Sequence, residues 1–212
     1  MESLDNQCKY WNKVSKTKNF THPLMMEKLE LYSSKESQIL DFGCGYGRIC
    51  HELNSAGYKN IIGVDSSQKM IERGLKTHPY LRISPLKNDL SELGEFDVII
   101  LFAVLTCIPT NNGQLKLIEE LFKHLKPNGI LYISDYWLQT DERNLTRYKE
   151  FEEKYENYGV FELPDGVIVR HHSKEWVERL TSAFETQELF DCELTTMNGN
   201  KSTCFQFIGR KK

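Results

Sequence analysis

The stretch "ILDFGCGYGR", Ile39 to Arg48, decides the fold. A short apolar run ends at Asp41 and Phe42, and three glycines then alternate with Cys44 and Tyr46. Glycine loses more conformational freedom on folding than any other residue, so this spacing predicts a tight backbone turn that something approaches closely. The run before the turn has the character of a buried strand, and the residues after it follow helical spacing. In open parallel sheets, such a strand end is where ligands bind.

Strands and helices alternate outward from this turn. We predict five strands, in "SQILDF", "NIIGVD", "LRISPLKNDL", "FDVIILFAVL" and "GILYISDYW". Helices are predicted in "RICHELNSAG", ending at Gly57, in "SSQKMIERGLKTH", capped by Ser66 or Ser67, and in "GQLKLIEELFKHLKPNG". The last of these has an apolar face at Leu115, Ile118, Leu121, Phe122 and Leu125, and Pro127 and Gly129 are expected to end it. The alternation predicts an α/β protein with helices on both faces of a parallel sheet.

The whole chain of 212 residues is predicted to form one domain. Residues 1–36 are expected to be a helical N-terminal cap, and residues 37–136 form the alternating core. Residues 137–172 are interpreted as an inserted lid with a charged helix, a turn at Pro164-Asp165-Gly166 and one strand. Residues 173–212 are predicted to add a helix capped by Ser173 and two closing strands, "TQELFDCEL" and "STCFQFIGR".

Composition excludes several classes of function. A net charge of −3 gives no general attraction to nucleic acid or to an anionic membrane, although a local basic groove is compatible with it. No apolar stretch is long enough to span a membrane, and the first twenty residues lack the apolar core of a signal peptide, so we expect a cytoplasmic protein. The six cysteines form no CxxC pair and are expected to be reduced, mostly buried thiols without a metal.

The glycine turn does not match the common phosphate-binding patterns. The dinucleotide motif G-x-G-x-x-G would need glycine at position 48, which is Arg48, and no G-K-[ST] follows for a P-loop. Acidic groups nevertheless follow the next strands. Asp65 ends the second strand, where a carboxylate can accept both hydroxyls of a ribose, and Asp89 follows the third, where it can accept the amine of adenine.

With these features the chain resembles the class I S-adenosylmethionine-dependent methyltransferases. The matching segments are "ILDFGCGYGR", "GVDSS", "KNDLSEL", "FDVIILFAVLTCIP" and "LKPNGILYISDY", with Asn128 where the family has its first glycine. The match is close over residues 37–136 and extends to the rest only in layout. It implies a Rossmann-like, doubly wound, seven-stranded, mostly parallel sheet with an antiparallel last strand.

The resemblance also implies the cofactor, S-adenosylmethionine, with S-adenosylhomocysteine as product. By the resemblance, Gly43 and Gly45 lie nearest the methionine part, Asp65 binds the ribose, and Asp89 binds the adenine. Arg48 either reaches a carboxylate of the cofactor or acceptor, or packs on the surface. The full set expected at the cofactor is Tyr10, Trp11, Asp41, Gly43, Cys44, Gly45, Arg48, Asp65, Ser66, Met70, Asp89, Leu90, Phe102 and Ala103.

The acceptor site is less well defined by sequence. After the fourth strand the chain has "FAVLT" in place of the family's amine-methylating motif, and Cys107 is interpreted as a packing residue. The acceptor pocket is predicted from the N-terminal segment around Tyr10 to His22, from the end of the fifth strand and from "IVRHHS". Tyr136, His171 and His172 are the catalytic candidates. Successive strand residues face opposite sides, so either His171 or His172 faces the site, or both lie on the surface. The two histidines lack a third ligand, so no metal is predicted.

A helical insertion after the fifth strand is typical of the family's small-molecule members. The sequence therefore predicts methyl transfer to a small molecule, on oxygen or nitrogen rather than carbon, by a monomer or homodimer. Alternatives are methylation of RNA or of a protein, a non-catalytic methyltransferase-like subunit, and a nicotinamide oxidoreductase.

Overall fold

A seven-stranded sheet organises the chain, which is described here from a computed structural model at residues 4–86 and 90–212. Its strands are β1 (Gln38–Phe42), β2 (Asn60–Asp65), β3 (Ile83–Pro85), β4 (Phe96–Phe102), β5 (Leu125–Tyr136), β8 (Phe184–Thr195) and β9 (Lys201–Lys211). A separate two-stranded sheet contains β6 (Val160–Glu162) and β7 (Ile168–Arg170). The helices are α1 (Cys8–Val14), α2 (Met26–Leu29), α3 (Arg48–Ser55), α4 (Gln68–Thr77), α5 (Asn111–Lys123), α6 (Glu142–Tyr155) and α7 (Lys174–Leu180), with 3₁₀ turns at Ser91–Leu93 and Leu105–Cys107.

The strand order is β3-β2-β1-β4-β5-β9-β8. β1 pairs in parallel with both β2 and β4, and β4 pairs in parallel with β5. The last strand, β9, lies antiparallel between β5 and β8. The predicted fold class is therefore confirmed, including the reversed last strand.

Alternate residues of β4 enter two separate cores, one on each face of the sheet. Ile99 and Leu101 belong to a cluster that includes Leu121 of α5 and Val177 of α7. Val98 and Ile100 belong to the opposite cluster, with Leu53 of α3 and Ile71 of α4. Because both faces are covered, β4 is apolar throughout, as a central parallel strand must be. The carboxyl ends of β1, β2 and β4 are thereby held side by side.

The N-terminal region is less helical than its sequence indicates. Only α1 and α2 form in residues 4–36, and residues 18–25 between them have no regular structure. This irregular segment is bonded to the sheet at β9, where Gln206 Nε2 donates to the Pro23 carbonyl at 2.8 Å. His22-Pro23 disfavours helix at the preceding residue, which accounts for the break.

The insertion contains one strand more than predicted. Residues 137–172 include α6 and an antiparallel hairpin of β6 and β7, in which Phe161 is paired with Val169. The expected turn at Pro164-Asp165-Gly166 joins the two strands, with Gly166 N–H donating to the Leu163 carbonyl at 2.8 Å. The division of the chain into a cap (1–36), a core (37–136), a lid (137–172) and a C-terminal part (173–212) stays a prediction.

The helix α5 ends earlier than predicted. It stops at Lys123, and Leu125 already belongs to β5, paired with Phe96 of β4. The ladder is interrupted between that pair and the next, so Pro127, which has no N–H to donate, sits in an irregular stretch. Leu115 is also 38% exposed rather than part of the core face.

Two further sequence expectations concern cysteines and membranes. Cys192 and Cys204 face each other on β8 and β9 and form a disulfide, so the prediction of reduced thiols is wrong for this pair. Cys8, Cys44, Cys50 and Cys107 are free, and Cys44 and Cys50 are buried. Among the helices in residues 4–86 and 90–212, none combines the length and the hydropathy needed to cross a bilayer.

Candidate functional site

The glycine turn after β1 needs left-handed backbone at alternate positions. Gly43, Gly45 and Gly47 have φ values of +74°, +57° and +78°, a region that costs other L-residues about 1–2 kcal/mol. The N–H groups of Gly43 and Cys44 both donate to the Val64 carbonyl, at 2.8 and 3.0 Å. The turn is thus tied to β2, and its shape is fixed by the neighbouring strand.

Asp65, at the end of β2, accepts a hydrogen bond from the backbone of this turn. Its Oδ2 accepts the Gly45 N–H at 2.8 Å, and its Oδ1 accepts the Ser67 N–H at 2.7 Å. Burial raises the pKa of Asp65, while these two backbone hydrogen bonds oppose the rise. Each carboxylate oxygen carries two lone pairs, so Asp65 retains one acceptor site on each oxygen.

Asp41 lies beside Asp65 but is fully enclosed. Its Oδ2 is 3.3 Å from the Cys50 Sγ, and burial raises its pKa to about 7. The negative charge of Asp65 contributes to this rise, and the Arg48 guanidinium opposes it. The Asp41 carboxylate is thus bonded to α3 through Cys50, whereas Asp65 is bonded to the turn itself through Gly45.

A cavity with about 1070 Å³ of empty space, open mouth included, lies at the carboxyl ends of β1, β2 and β4. We call it the glycine-turn cavity. Most residues that the sequence assigned to cofactor binding line it: Trp11, Asp41, Gly43, Cys44, Arg48, Asp65, Ser66, Met70, Phe102 and Ala103.

Three of the assigned residues lie elsewhere, and a fourth is not among the described residues. Gly45 lies under the Phe20 ring and does not line the cavity, because an added Cβ would meet Phe20 Cε2 at 2.0 Å. Leu90 is 7% exposed and packs into the core instead. Tyr10 lines a second cavity, described below. Asp89 lies outside the described residues.

The second cavity adjoins the first and has about 870 Å³ of empty space, mouth included. We call it the aromatic cavity, after the rings in its walls: Tyr10, Trp11, Phe20, Tyr136 and Phe161. Its walls come from the N-terminal segment, the loop after β4, the end of β5, the start of α6, the β6–β7 hairpin and the turn between β8 and β9. The predicted acceptor regions therefore do converge, although they are far apart in sequence.

His22 stands in the wall between the two cavities, which also share Trp11, Phe20, Ala103 and Cys107. Its Nδ1 lies 3.0 Å from the Ser134 Oγ, and its ring packs edge-on against Tyr136, with 4.6 Å between ring centroids. Its Nε2 is buried and has no hydrogen-bond partner among the described residues. Burial, assisted by the nearby Arg48 charge, lowers the pKa of His22 to about 3, so the ring is neutral.

The two histidines selected from the sequence have different positions. His171 lines the aromatic cavity, and its Nδ1 is bonded to the Tyr148 hydroxyl at 2.6 Å. His172 lines neither cavity: its ring is bonded to Gln114 Nε2 at 2.9 Å and to the Tyr136 carbonyl at 3.1 Å. The alternative that both are surface residues is wrong, since they are 8% and 1% exposed. Burial lowers the pKa of each to about 3.

The side chains of Tyr136 and Asp135, at the end of β5, also point in different directions. Tyr136 faces the aromatic cavity, whereas the Asp135 carboxylate turns into the protein. There it accepts the Thr106 N–H at 3.0 Å and the Tyr136 N–H at 2.8 Å. Asp135 thus fixes the loop after β4. Within the described residues, no group of three or more histidine, cysteine or acidic side chains is arranged to hold a metal ion.

Arg48 does not pack on the surface, which was one of the two alternatives. Its Nη1 pairs with Glu52 at 2.7 Å, and its Nη2 donates to the His22 carbonyl. Its Nε is buried without a partner in the described part of the chain, and the side chain lines the glycine-turn cavity. Arg48 therefore couples this cavity to the segment that carries His22.

Two polar groups of α6 that face the aromatic cavity, Arg143 and Arg147, were missed in the sequence. Their spacing of four residues places them on one helix face together with Asn144. That spacing is visible in "ERNLTRY", but the charged helix gives no indication of which face is turned inward. His22 was noted only as one basic group of the N-terminal segment.

The chain is similar to known proteins in both sequence and fold. Residues 33–189 match the family described as "Methyltransferase domain". A relative in Rickettsia typhi, named ubiquinone biosynthesis O-methyltransferase, is 32% identical over 138 residues, which are 59% of this chain and 54% of that protein. The chain spans about half the length of the curated relatives it matches.

Two solved structures show the same fold. A protein from Methanosarcina mazei, titled as a SAM-dependent methyltransferase, superposes with a TM-score of 0.81 at 24% identity, over 90% of this chain and 98% of that one. A protein from Anabaena variabilis, also described as a SAM-dependent methyltransferase, superposes with a TM-score of 0.73 at 20% identity. The match covers 100% of this chain and 96% of that one.

Proposed function

The chain belongs to the methyltransferase-domain family, and on this premise we propose that it transfers a methyl group from S-adenosylmethionine to an oxygen or nitrogen of a small molecule. The predicted family is thereby confirmed. The observation that carries the proposal is the pair of adjoining cavities, which share a wall containing His22, a buried, neutral histidine whose Nε2 has no partner in the described part of the chain.

The glycine-turn cavity fits the cofactor in three respects. The turn has no room for a side chain at Gly43, because a Cβ there would meet Val104 Cγ2 at 2.4 Å. Asp65 keeps free lone pairs that suit ribose hydroxyls, and the partnerless Nε of Arg48 suits a carboxylate. Trp11 and Phe20 add aromatic faces, which attract a sulfonium cation. We assign the cofactor to these residues.

The bound cofactor supplies a methyl group on a sulfonium, whose sulfur takes the electron pair of the broken carbon–sulfur bond. The protein's part is to position the acceptor, exclude water and remove the acceptor's proton. We assign the proton removal to His22 rather than to the predicted His171 or His172. With Nδ1–H donating to Ser134 Oγ, the lone pair of Nε2 is available in the wall that the two cavities share.

Charge balance supports this assignment of His22. The acceptor's oxygen or nitrogen forms a bond to the methyl carbon, and its proton moves to His22 Nε2. The positive charge lost from sulfur is replaced by one on the imidazole, so the net charge of the site does not change. Before the reaction the ring is neutral, because burial and the Arg48 charge lower the pKa of His22 to about 3.

The aromatic cavity supports a small acceptor. It is walled by six parts of the chain, one of which is the loop after β4, and apolar residues of the hairpin, Val167 and Val169, line it beside the aromatic rings. The name of the Rickettsia typhi relative, an O-methyltransferase, favours oxygen as the attacked atom. Methylation of RNA or protein, a non-catalytic role and nicotinamide oxidation have no comparable observation in their favour. A cytoplasmic location and a monomeric or homodimeric state stay predictions from the sequence.

Binding and turnover test the proposal separately. Calorimetry with S-adenosylmethionine and with NAD should give a dissociation constant only for the former. A panel of small phenols, carboxylates and amines should then release S-adenosylhomocysteine in the presence of the protein. Release that requires RNA or an intact protein as acceptor would reject the small-molecule proposal, and failure to bind S-adenosylmethionine would reject the cofactor.

A further inference from the structure

The aromatic cavity contains an imbalance of charge. Three cationic side chains line it, Lys18 from the N-terminal segment and Arg143 and Arg147 from α6. Among the described residues, no aspartate or glutamate lines it. Arg143 is exposed, whereas Lys18 and Arg147 are half-buried, and a cation that is partly removed from water is stabilised by an anionic partner.

Nearby acids compensate two of these charges. Lys18 Nζ lies 3.0 Å from Asp165 Oδ2, and Tyr10 also donates to that carboxylate, at 2.7 Å. Arg143 Nε is 3.6 Å from Asp141 Oδ1. Asp141 is in addition the N-cap of α6, accepting from the backbone N–H of Asn144 at 3.2 Å and from its side-chain Nδ2 at 2.6 Å.

Arg147 has no carboxylate in direct contact among the described residues, and the Asp141 charge acts on it only from a greater distance. No carboxylate in the described residues lies within 4.0 Å of it, and its polar contact is a long one, from Nη1 to the Asn144 Oδ1 at 3.5 Å. Its guanidinium lies 5.4 Å from the centre of the Phe161 ring, which is buried in the same wall. Burial and the like charge of Arg143 both lower the pKa of Arg147, so an anion placed between the two guanidiniums would relieve both effects.

We propose that the methyl acceptor carries a carboxylate, which Arg147 binds with the help of Arg143 while the apolar body of the acceptor lies against Phe161. This inference rests on the proposed function, since it names the class of acceptor for that site. The planar guanidinium fork donates to both oxygens of a carboxylate, which gives orientation as well as affinity. His22 and the α6 arginines border the same cavity, so the carboxylate anchors the acceptor while its oxygen or nitrogen faces the base.

Matched ligand pairs provide the test. Hydroxybenzoates, aminobenzoates and indole carboxylates are each compared with their neutral primary amides by ligand-observed NMR and calorimetry, with and without S-adenosylhomocysteine. We expect the best carboxylates to bind at least about tenfold more tightly than their amides. Arg147→Gln should remove that preference and leave the affinity for S-adenosylhomocysteine and for the amides unchanged, and Arg147→Lys should retain part of it.

The control is Arg179→Gln, since Arg179 also lies over an aromatic ring, Trp176 at 5.8 Å, but lines neither cavity. It should keep the full preference for carboxylates. Equal binding within every pair, no carboxylate binder in the set, or an undiminished preference in folded Arg147→Gln would each overturn the inference. Failure of wild-type protein to bind S-adenosylhomocysteine is a separate result, and it would count against the proposed function.

Discussion

His22 Nδ1 is held 3.0 Å from the hydroxyl of Ser134, and the opposite nitrogen of the ring, Nε2, is buried without a partner in the described residues. Ser134 belongs to β5, which is fully buried at this point, so the imidazole is anchored to the rigid sheet rather than to its own loop. The Tyr136 ring packs against it from the same strand. This anchoring fixes the position of the ring in the wall that the two cavities share.

His22→Gln should lower kcat by about 100-fold or more, because a positioned base contributes about 10²–10⁴-fold. Affinity for S-adenosylmethionine, measured by calorimetry, should change little. Ser134→Ala, which frees the ring to turn, should give a smaller loss. His78→Gln serves as the matched control, since His78 lines neither cavity. A value of kcat within twofold of wild type in folded His22→Gln would remove His22 from the mechanism.

Asp65→Asn should weaken binding of S-adenosylmethionine by about 1–3 kcal/mol, since ribose hydroxyls would lose a charged partner. Asp65→Ala should also destabilise the fold, because the N–H groups of Gly45 and Ser67 would lose their acceptors. Calorimetry and urea unfolding separate these two effects. Asp97→Asn is the control: Asp97 also accepts a backbone N–H, that of Gln38 at 2.8 Å, but lies outside both cavities. Unchanged cofactor affinity in Asp65→Asn would exclude Asp65 from the site.

Gly45→Ala should displace Phe20 from the glycine turn and thereby disturb both cavities. The added Cβ would lie 2.0 Å from Phe20 Cε2, in addition to the strain of a positive φ. Gly57 also has a positive φ, but a Cβ added there would have no neighbouring atom within 4 Å. Gly57→Ala therefore measures the effect of backbone strain alone. We expect Gly45→Ala to be the more destabilising in urea, and the double variant with Phe20→Ala to recover part of the difference. Equal losses in Gly45→Ala and Gly57→Ala would show that the contact with Phe20 is unimportant.

Local patterns were sufficient for much of the fold. The alternation of strands and helices, the N-caps at Ser67 and Ser173, and the acid at the end of β2 all depend on neighbours in sequence, and the structure has each of them. Leu125 is an exception, because helical spacing continues through it while its pairing with Phe96 in the sheet takes precedence. The disulfide was missed for a related reason, since it depends on the register of β8 against β9.

The sequence predicts the residues of the glycine-turn cavity better than those of the aromatic cavity. The residues of the glycine-turn cavity follow from strand ends, which are local features. The aromatic cavity depends on how α6, the hairpin and the N-terminal segment pack together, and no periodicity states which face of α6 points inward. For the same reason, His171 and His172 were selected by type, whereas His22 is distinguished only by the absence of a partner for its Nε2.

His171 should make the fold sensitive to acid. Burial, with the charges of Arg147 and Arg143, lowers its pKa from 6.5 to about 3, and the Asp141 carboxylate opposes this shift. Between these two values the unfolded chain binds a proton that the folded protein does not, so stability falls as the pH falls from 6.5 towards 3. The slope for one such group is about 1.4 kcal/mol per pH unit.

Urea unfolding of wild type and His171→Gln at pH 7 and pH 5 tests this. The stability advantage of wild type over the variant should shrink at the lower pH, with the sign given above. Asp41 and Asp135, whose pKa values burial raises to about 7, act in the opposite direction but are present in both proteins, so they cancel in the difference. Tyr148→Phe removes the hydrogen bond to His171 and keeps the ring, so its cost should be similar at both values of pH. A wild-type advantage that is constant from pH 7 to pH 5 would mean that His171 is not held neutral.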